Sequence, residues 1–207
     1  MPRLFIALEP DDATRALALE SQGVLREALG ARKRLRFPAA SRLHVTLAFL
    51  GDVEASRIDQ VTDVVAGIAR ERAPFPVTAG GVGAFPRPDR ARVLWLGFGS
   101  VGDPLSALVG DLGARLRGAG LALEERAWTG HLTLARIASP GGLDARAALA
   151  RCPARRVACP VSELVVMESR RDPEGARYVA LARVRLASPL EDPAPVPDPI
   201  ARPPRAG

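Results

Sequence analysis

The pentapeptide His44-Val45-Thr46-Leu47-Ala48 returns later in the chain as His131-Leu132-Thr133-Leu134-Ala135. These are the only 2 histidines among 207 residues. With threonine and leucine at their frequencies here, chance would place Thr and Leu at the same offsets after both histidines on the order of once in a hundred thousand chains. A duplicated supersecondary unit explains the coincidence, and it restricts the fold severely: two copies of one unit pack about a pseudo-two-fold axis and set equivalent residues opposite each other.

The elements around the two copies repeat as well. Residues 3–9 read as a strand. Residues 11–29 read as a helix with an acidic first turn and with Leu17, Val24, Leu25 and Ala28 on one face. Residues 43–50 form a second strand, 54–72 a helix with the stripe Ile58, Val61, Val65 and Ile68, and 75–85 a Pro-bounded strand. The order recurs as strand 92–98, helix 104–117 with Leu105, Leu108, Val109, Leu112 and Leu116 inward, and strand 130–137. A short helix at 143–150, one long strand at 157–169 and a closing strand at 177–186 complete the second set. The last two are expected to form a hairpin across Asp172-Pro173-Glu174-Gly175. The expected architecture is α+β and bilobal: one unit over 1–187, made of halves 1–87 and 88–187. Its two pseudo-symmetric lobes each carry an antiparallel sheet and flanking helices, with a cleft between them. Residues 188–207 are Pro-rich without apolar periodicity and are expected to form an extended or disordered tail.

Composition narrows the function. A chain that is 47% hydrophobic and 25% charged buries a real core, whereas 4% aromatics is too little for a base-stacking platform. The net charge of +6 leans toward phosphates or RNA. Cys152 and Cys159 are too few for a disulfide framework and wrongly spaced for a zinc knuckle, which points to a reducing cytosol. No apolar run approaches the roughly 18 residues of a membrane span, and no signal peptide is evident.

On a strand, residues i and i+2 share a face, so each histidine stands beside its threonine while the intervening Val45 or Leu132 packs inward. Two imidazoles brought together across a cleft can do opposite proton jobs near neutral pH, one accepting from a nucleophile and one donating to a leaving oxygen. The hydroxyls of Thr46 and Thr133 can hold non-bridging oxygens, and a phosphodiester fits that arrangement. Separated by roughly 5 to 8 Å, the span of two hydrogen bonds around one phosphate, the rings would flank its phosphorus. Zinc binding would leave at least one ligand unaccounted for, so neither metal nor cofactor is expected.

The paired His-x-Thr motifs on a duplicated α+β chain resemble the 2H phosphoesterase superfamily, in particular its RNA 2',3'-cyclic phosphodiesterase branch, also called 2'-5' RNA ligase. The likeness extends to Arg3-Leu4-Phe5-Ile6-Ala7-Leu8, to Leu43–Gly51, to Phe85-Pro86-Arg87-Pro88 with Val93-Leu94-Trp95-Leu96-Gly97, and to Trp128–Arg136. It departs at Arg36-Phe37-Pro38 and at Trp128-Thr129-Gly130, where the family commonly has other residues. The resemblance implies hydrolysis of RNA 2',3'-cyclic phosphate ends to 2'-phosphates without a metal, with reverse ligation left open. It implies His131 as general base, His44 as general acid, and Thr46 and Thr133 as phosphate ligands. RNA ends or small cyclic nucleotides would be the partners, and the enzyme would be a cytoplasmic monomer. It also implies Arg136, five residues after His131, as a grip on phosphate oxygens; its symmetry counterpart is Phe49, a candidate for substrate contact. Strict strand alternation points both of these away from the histidine face, so a twist or irregularity has to turn them back.

Two rivals come from other classes. Gly97, Gly99 and Gly102 form a GxGxxG spacing between a strand and a helix, as in dinucleotide-dependent oxidoreductases. Against it, Asp103-Pro104 reads as N-cap and first helical residue, putting a carboxylate where pyrophosphate would sit. A non-catalytic RNA-binding module is the other rival, to which the intact His-Thr pairs in both halves are unfavourable.

Overall fold

The computed structural model describes residues 1–30, 35–99, 102–124, 127–172 and 175–187. The Pro-rich segment 188–207 lies outside the described residues, as does the centre of the last hairpin turn.

Strand β1 (Arg3–Leu8) leads into α1 (Asp12–Leu29). The Asp11 side chain accepts from the backbone N–H of Thr14 at 3.0 Å and supplies the N-cap. Gly30, at φ 69°, closes the helix by donating to the Arg26 carbonyl. The buried face of α1 is more polar than its periodicity suggests: beside Leu17, Leu25 and Leu29 it carries Thr14, Ser21 and Gln22. After the short β2 (Leu35–Arg36) come β3 (Val45–Asp52), α2 (Ile58–Arg70) and β4 (Phe75–Phe85). Strand β5 (Val93–Phe98) precedes α3 (Pro104–Gly118), which buries Leu105, Leu108, Leu112 and Leu116 on its inner side. Strand β6 (His131–Ile137) and α4 (Arg146–Ala150) follow. The single long strand expected at 157–169 is two strands, β7 (Arg156–Val161) and β8 (Glu163–Asp172), before β9 (Gly175–Arg185). The chain breaks at Ser162, whose carbonyl turns to accept from Leu186, and β7 and β8 then run at distant places in the sheet. Apolar patterning is continuous across such a break because both pieces are core-facing, so it reads as one strand.

All strand pairs are antiparallel, in the order β7-β4-β5-β6-β3-β1-β8-β9, with β2 added beside β6. The two expected sheets are the two halves of this order. They meet at a seam between β3 and β6, where one register pair, Val45 with Leu132, joins them. The two sides of the seam correspond strand for strand: β3-β1-β8-β9 on one side and β6-β5-β4-β7 on the other.

The halves of the sequence do not map onto the halves of the sheet. Strand β4, from the first half, pairs with β5 and β7 from the second, while β8 from the second half, with β9 on its outer edge, flanks β1. The helices cross over as well, α1 packing on β6 and β7 and α3 on β3. One helix-side core runs under the whole sheet. A smaller cluster of Phe5, Ala7, Val165 and Met167, with Phe49 and Tyr178 packed on it, covers the opposite face beside the seam. Central β1 is therefore apolar on both faces, which accounts for its unbroken Leu-Phe-Ile-Ala-Leu run.

Candidate active site

The seam brings the two motifs together. One step either side of the Val45–Leu132 pair, antiparallel register sets His44 across from Thr133 and Thr46 across from His131. The residues between them, Val45, Leu47, Leu132 and Leu134, are 0–3% exposed, so all four polar side chains occupy the face away from the helices. This is the placement that alternation predicts.

Both imidazoles are held in the same way. His44 Nδ1–H donates to the carbonyl of Arg42, and His131 Nδ1–H donates to that of Thr129, each at 2.8 Å. A carbonyl can only accept, so each neutral ring carries its proton on Nδ1 and leaves the Nε2 lone pair for chemistry. The rings are further confined by aromatics. His44 lies against Phe5 and edge-on to Tyr178, with centroids 5.1 and 4.8 Å away, and His131 stands edge-on to Phe85 at 5.0 Å. Burial pushes His44 below the ordinary histidine pKa, and the charges of Arg136 and His131 act in the same direction, opposed by the Arg42 carbonyl and the Glu9 carboxylate. Burial and then Arg136 do the same to His131, where the Thr129 carbonyl is the opposing influence. Among the described residues the surroundings differ in one respect that matters: the Glu9 carboxylate favours protonated His44, and none acts in the same way on His131.

Phe49 and Arg136 reach the histidine face through matched irregularities. Along β3 the register with β1 slips at Leu47: Ile6 pairs with Ala48 but Ala7 with Thr46. Along β6 the register with β5 slips at Leu134: Leu94 pairs with Ala135 but Trp95 with Thr133. Each slip inserts one extra residue, the leucine three places after the histidine, and reverses the facing of the residues that follow; β3 slips once more at Leu50, beyond Phe49. Ala135 and Ile137 are buried and Arg136 is exposed between them, close enough for its charge to act on both imidazoles. Phe49 joins the cluster that backs His44, with the Arg3 guanidinium 5.4 Å from its ring centroid. The repeated leucine of the motif therefore has a job of its own, which is to fill the bulge.

Three contributors were not legible from the sequence as site residues. Tyr178, the only tyrosine in the chain, comes from β9, far in sequence from both motifs. Trp128 donates its indole N–H to the Thr46 carbonyl at 2.9 Å, tying the approach to the second motif onto the first. Glu9 lines a hollow of about 120 Å³ beside His44, together with Ser41, Arg42, Tyr178 and Arg183. The Arg183 guanidinium is itself spanned by Glu9 and Glu163 at 2.9–3.0 Å. At the GxGxxG spacing, Asp103 caps α3 by accepting from Ser106 at 2.8 Å, and a Cβ on Gly99 would lie 2.6 Å from its other oxygen. That helix start is occupied by a carboxylate, as the sequence suggests. Among the described residues no group of three or more His, Cys, Asp or Glu side chains could hold a metal ion, and no helix is long and apolar enough to cross a membrane.

An antiparallel sheet in two matched parts, with a His-x-Thr strand from each part at the join, is the architecture of a 2H phosphoesterase. The chain belongs to the 2'-5' RNA ligase superfamily, whose family model matches residues 11–173. It is similar to the RNA 2',3'-cyclic phosphodiesterase of Methanothermobacter thermautotrophicus, 31% identical over 71% of this chain and 77% of that one. It is also similar to that of Aeropyrum pernix, 36% identical over 52% of this chain and 60% of that one. Among solved structures, E. coli LigT complexed with 3'-AMP is 26% identical, with TM-score 0.67 over 91% of this chain and all of the other. The chain is an enzyme of this phosphoesterase class.

Proposed function

We propose that the protein hydrolyses 2',3'-cyclic phosphates at RNA ends to 2'-phosphates by metal-independent paired-histidine catalysis. The observation that carries this reading is the identical Nδ1 tether of the two imidazoles, which leaves two Nε2 atoms on one face at the seam. Nε2 of neutral His131 takes a proton from water as its oxygen bonds to phosphorus. The bond from phosphorus to the ribose 3'-oxygen breaks, and protonated His44 delivers its Nε2 proton to that oxygen. The 2'-phosphate and the 3'-hydroxyl are the products, and solvent exchange restores both rings. Thr46, Thr133 and Arg136 hold the non-bridging oxygens as charge builds there, and Phe49 backs the substrate side of His44. The Glu9 carboxylate favours the protonated form of His44, against the burial and positive charge that lower its pKa. The names of the relatives support the substrate class. The free thiols Cys152 and Cys159 suit a reducing cytoplasm, and we assign the catalytic unit to residues 1–187 acting as a monomer.

Incubating a 2',3'-cyclic mononucleotide with the protein in excess chelator tests this directly. We expect turnover to the 2'-phosphate. Accumulation of the 3'-phosphate would reverse the leaving oxygen and with it the orientation, and no turnover would favour a binding module. Mixing 2',3'-cyclic and 5'-hydroxyl RNA ends at high concentration tests for ligation by the same site.

A further inference from the structure

The seam that carries the site is weakly laced, since β3 and β6 share one register pair. Beneath it lies Gln22 of α1, a polar side chain only 1% exposed. Its Nε2 donates to two carbonyls at 3.0 Å each: that of Pro38, on the approach to His44, and that of Leu134, in β6. Leu134 is the bulge residue whose slip turns Arg136 onto the histidine face. On its other flank, β6 meets β3 at Leu132 and β2 from Arg136 onward, so Leu134 falls in the gap between two partners. The Gln22 Oε1 has no hydrogen-bond partner among the described residues, so the orientation of the amide is set by the two carbonyls that take its N–H groups. An apolar residue here would leave both carbonyls unpaired, so the amide links the two segments at the cost of one unsatisfied oxygen.

We propose that Gln22 is a positioning residue. Its amide clamps the segment leading to the first motif against the bulge of the second, and so sets the two imidazoles and Arg136 in register. This rests on the hydrolase reading above. Loss of the clamp leaves two buried carbonyls unpaired, frees the Leu134 bulge to shift, and moves Arg136 relative to the rings. Misplacement of a reacting group by about 1 Å can cost about a hundredfold in rate.

The test uses Gln22→Met, which keeps volume and removes both donors, with steady-state kinetics on a 2',3'-cyclic mononucleotide. We expect kcat to fall about tenfold to a hundredfold with KM changed much less. Combined with Arg136→Ala, Gln22→Met should cost less than the product of the two single losses, because part of its effect runs through the Arg136 guanidinium. Multiplicative losses in the double variant, or unchanged kcat in Gln22→Met, would overturn the proposal. Gln22→Glu provides an independent check, since its carboxyl can donate to a carbonyl only when protonated. Its activity relative to wild type should recover as pH falls, and a constant ratio across pH would overturn the clamp. Binding of inorganic phosphate, followed by the ring-proton NMR signals of the two histidines, separates the two readings. A wild type that shifts both signals yet turns nothing over defeats the hydrolase reading alone. The clamp then stands or falls on whether Gln22→Met changes the size of the paired shift.

Discussion

At the residue scale the site is a pair of imidazoles made equivalent by their tethers and unequal by their neighbours. Replacing His44 or His131 by Ala should each lower kcat/KM about 10²- to 10⁴-fold, measured on a cyclic mononucleotide. Near-full activity in either variant defeats the acid and base roles. The rings also leave a signature in stability. In the unfolded chain they titrate near 6.5, and burial holds both lower in the fold. Above that value neither state binds the protons and the contribution to stability is complete. As pH falls toward the folded-state values the unfolded chain binds protons first, so stability declines. Urea midpoints should therefore drop between pH 7.5 and 5.5, and drop less in His44→Gln. Of the site residues, His44, Thr46, His131 and Thr133 were legible because i, i+2 facing is a property of one strand. Tyr178, Glu9 and Gln22 were not, because their relevance comes from elements that the topology brings to the seam.

At the scale of elements, local chemistry did most of the work. Asp103 caps α3 as its position suggests, Asp11 caps α1 from just outside the helix rather than from its first turn, and the leucine stripe of α3 is buried as its spacing requires. What local pattern could not supply was the pair of bulges. Nothing in Thr-Leu-Ala says that the leucine is extra, since the slip exists only relative to the neighbouring strand. The approach to the second motif depends on a close contact of the same kind. A Cβ on Gly130 would lie 1.8 Å from the Phe98 carbonyl oxygen, while Phe98 N–H donates to the Gly130 carbonyl at 3.0 Å. Gly130→Ala should force β5 and β6 apart there, costing about 1–3 kcal/mol of stability by chemical denaturation and displacing His131. A variant as stable and active as wild type would show that the backbone yields at no cost.

For the whole molecule, the exchange of strands between the two sides of the seam couples the halves. Strand β4 has only second-half neighbours, and β1 is walled on one side by β8. A fragment of residues 1–87 leaves β4 without a partner strand, and one of 88–187 leaves β8 and β9 without β1. Each fragment alone should lack cooperative unfolding by circular dichroism, and mixing the two should restore it. Independent folding of either half would mean that the exchange is incidental to stability. The coupling also suits the chemistry, because a site assembled from both halves exists only when the entire sheet has formed.

Taken by itself, the sequence determined the duplication, the facing of the four motif side chains, the cap of α3 and most element boundaries. Each of those depends on periodicity or on contacts a few residues apart, which a linear pattern records. The tertiary structure alone decided which strands pair across the seam, where the register slips to bring Phe49 and Arg136 onto the working face, and which buried side chains brace it. Those outcomes arise from contacts between residues far apart in the chain, whose energies leave no mark on the local order of apolar and polar residues.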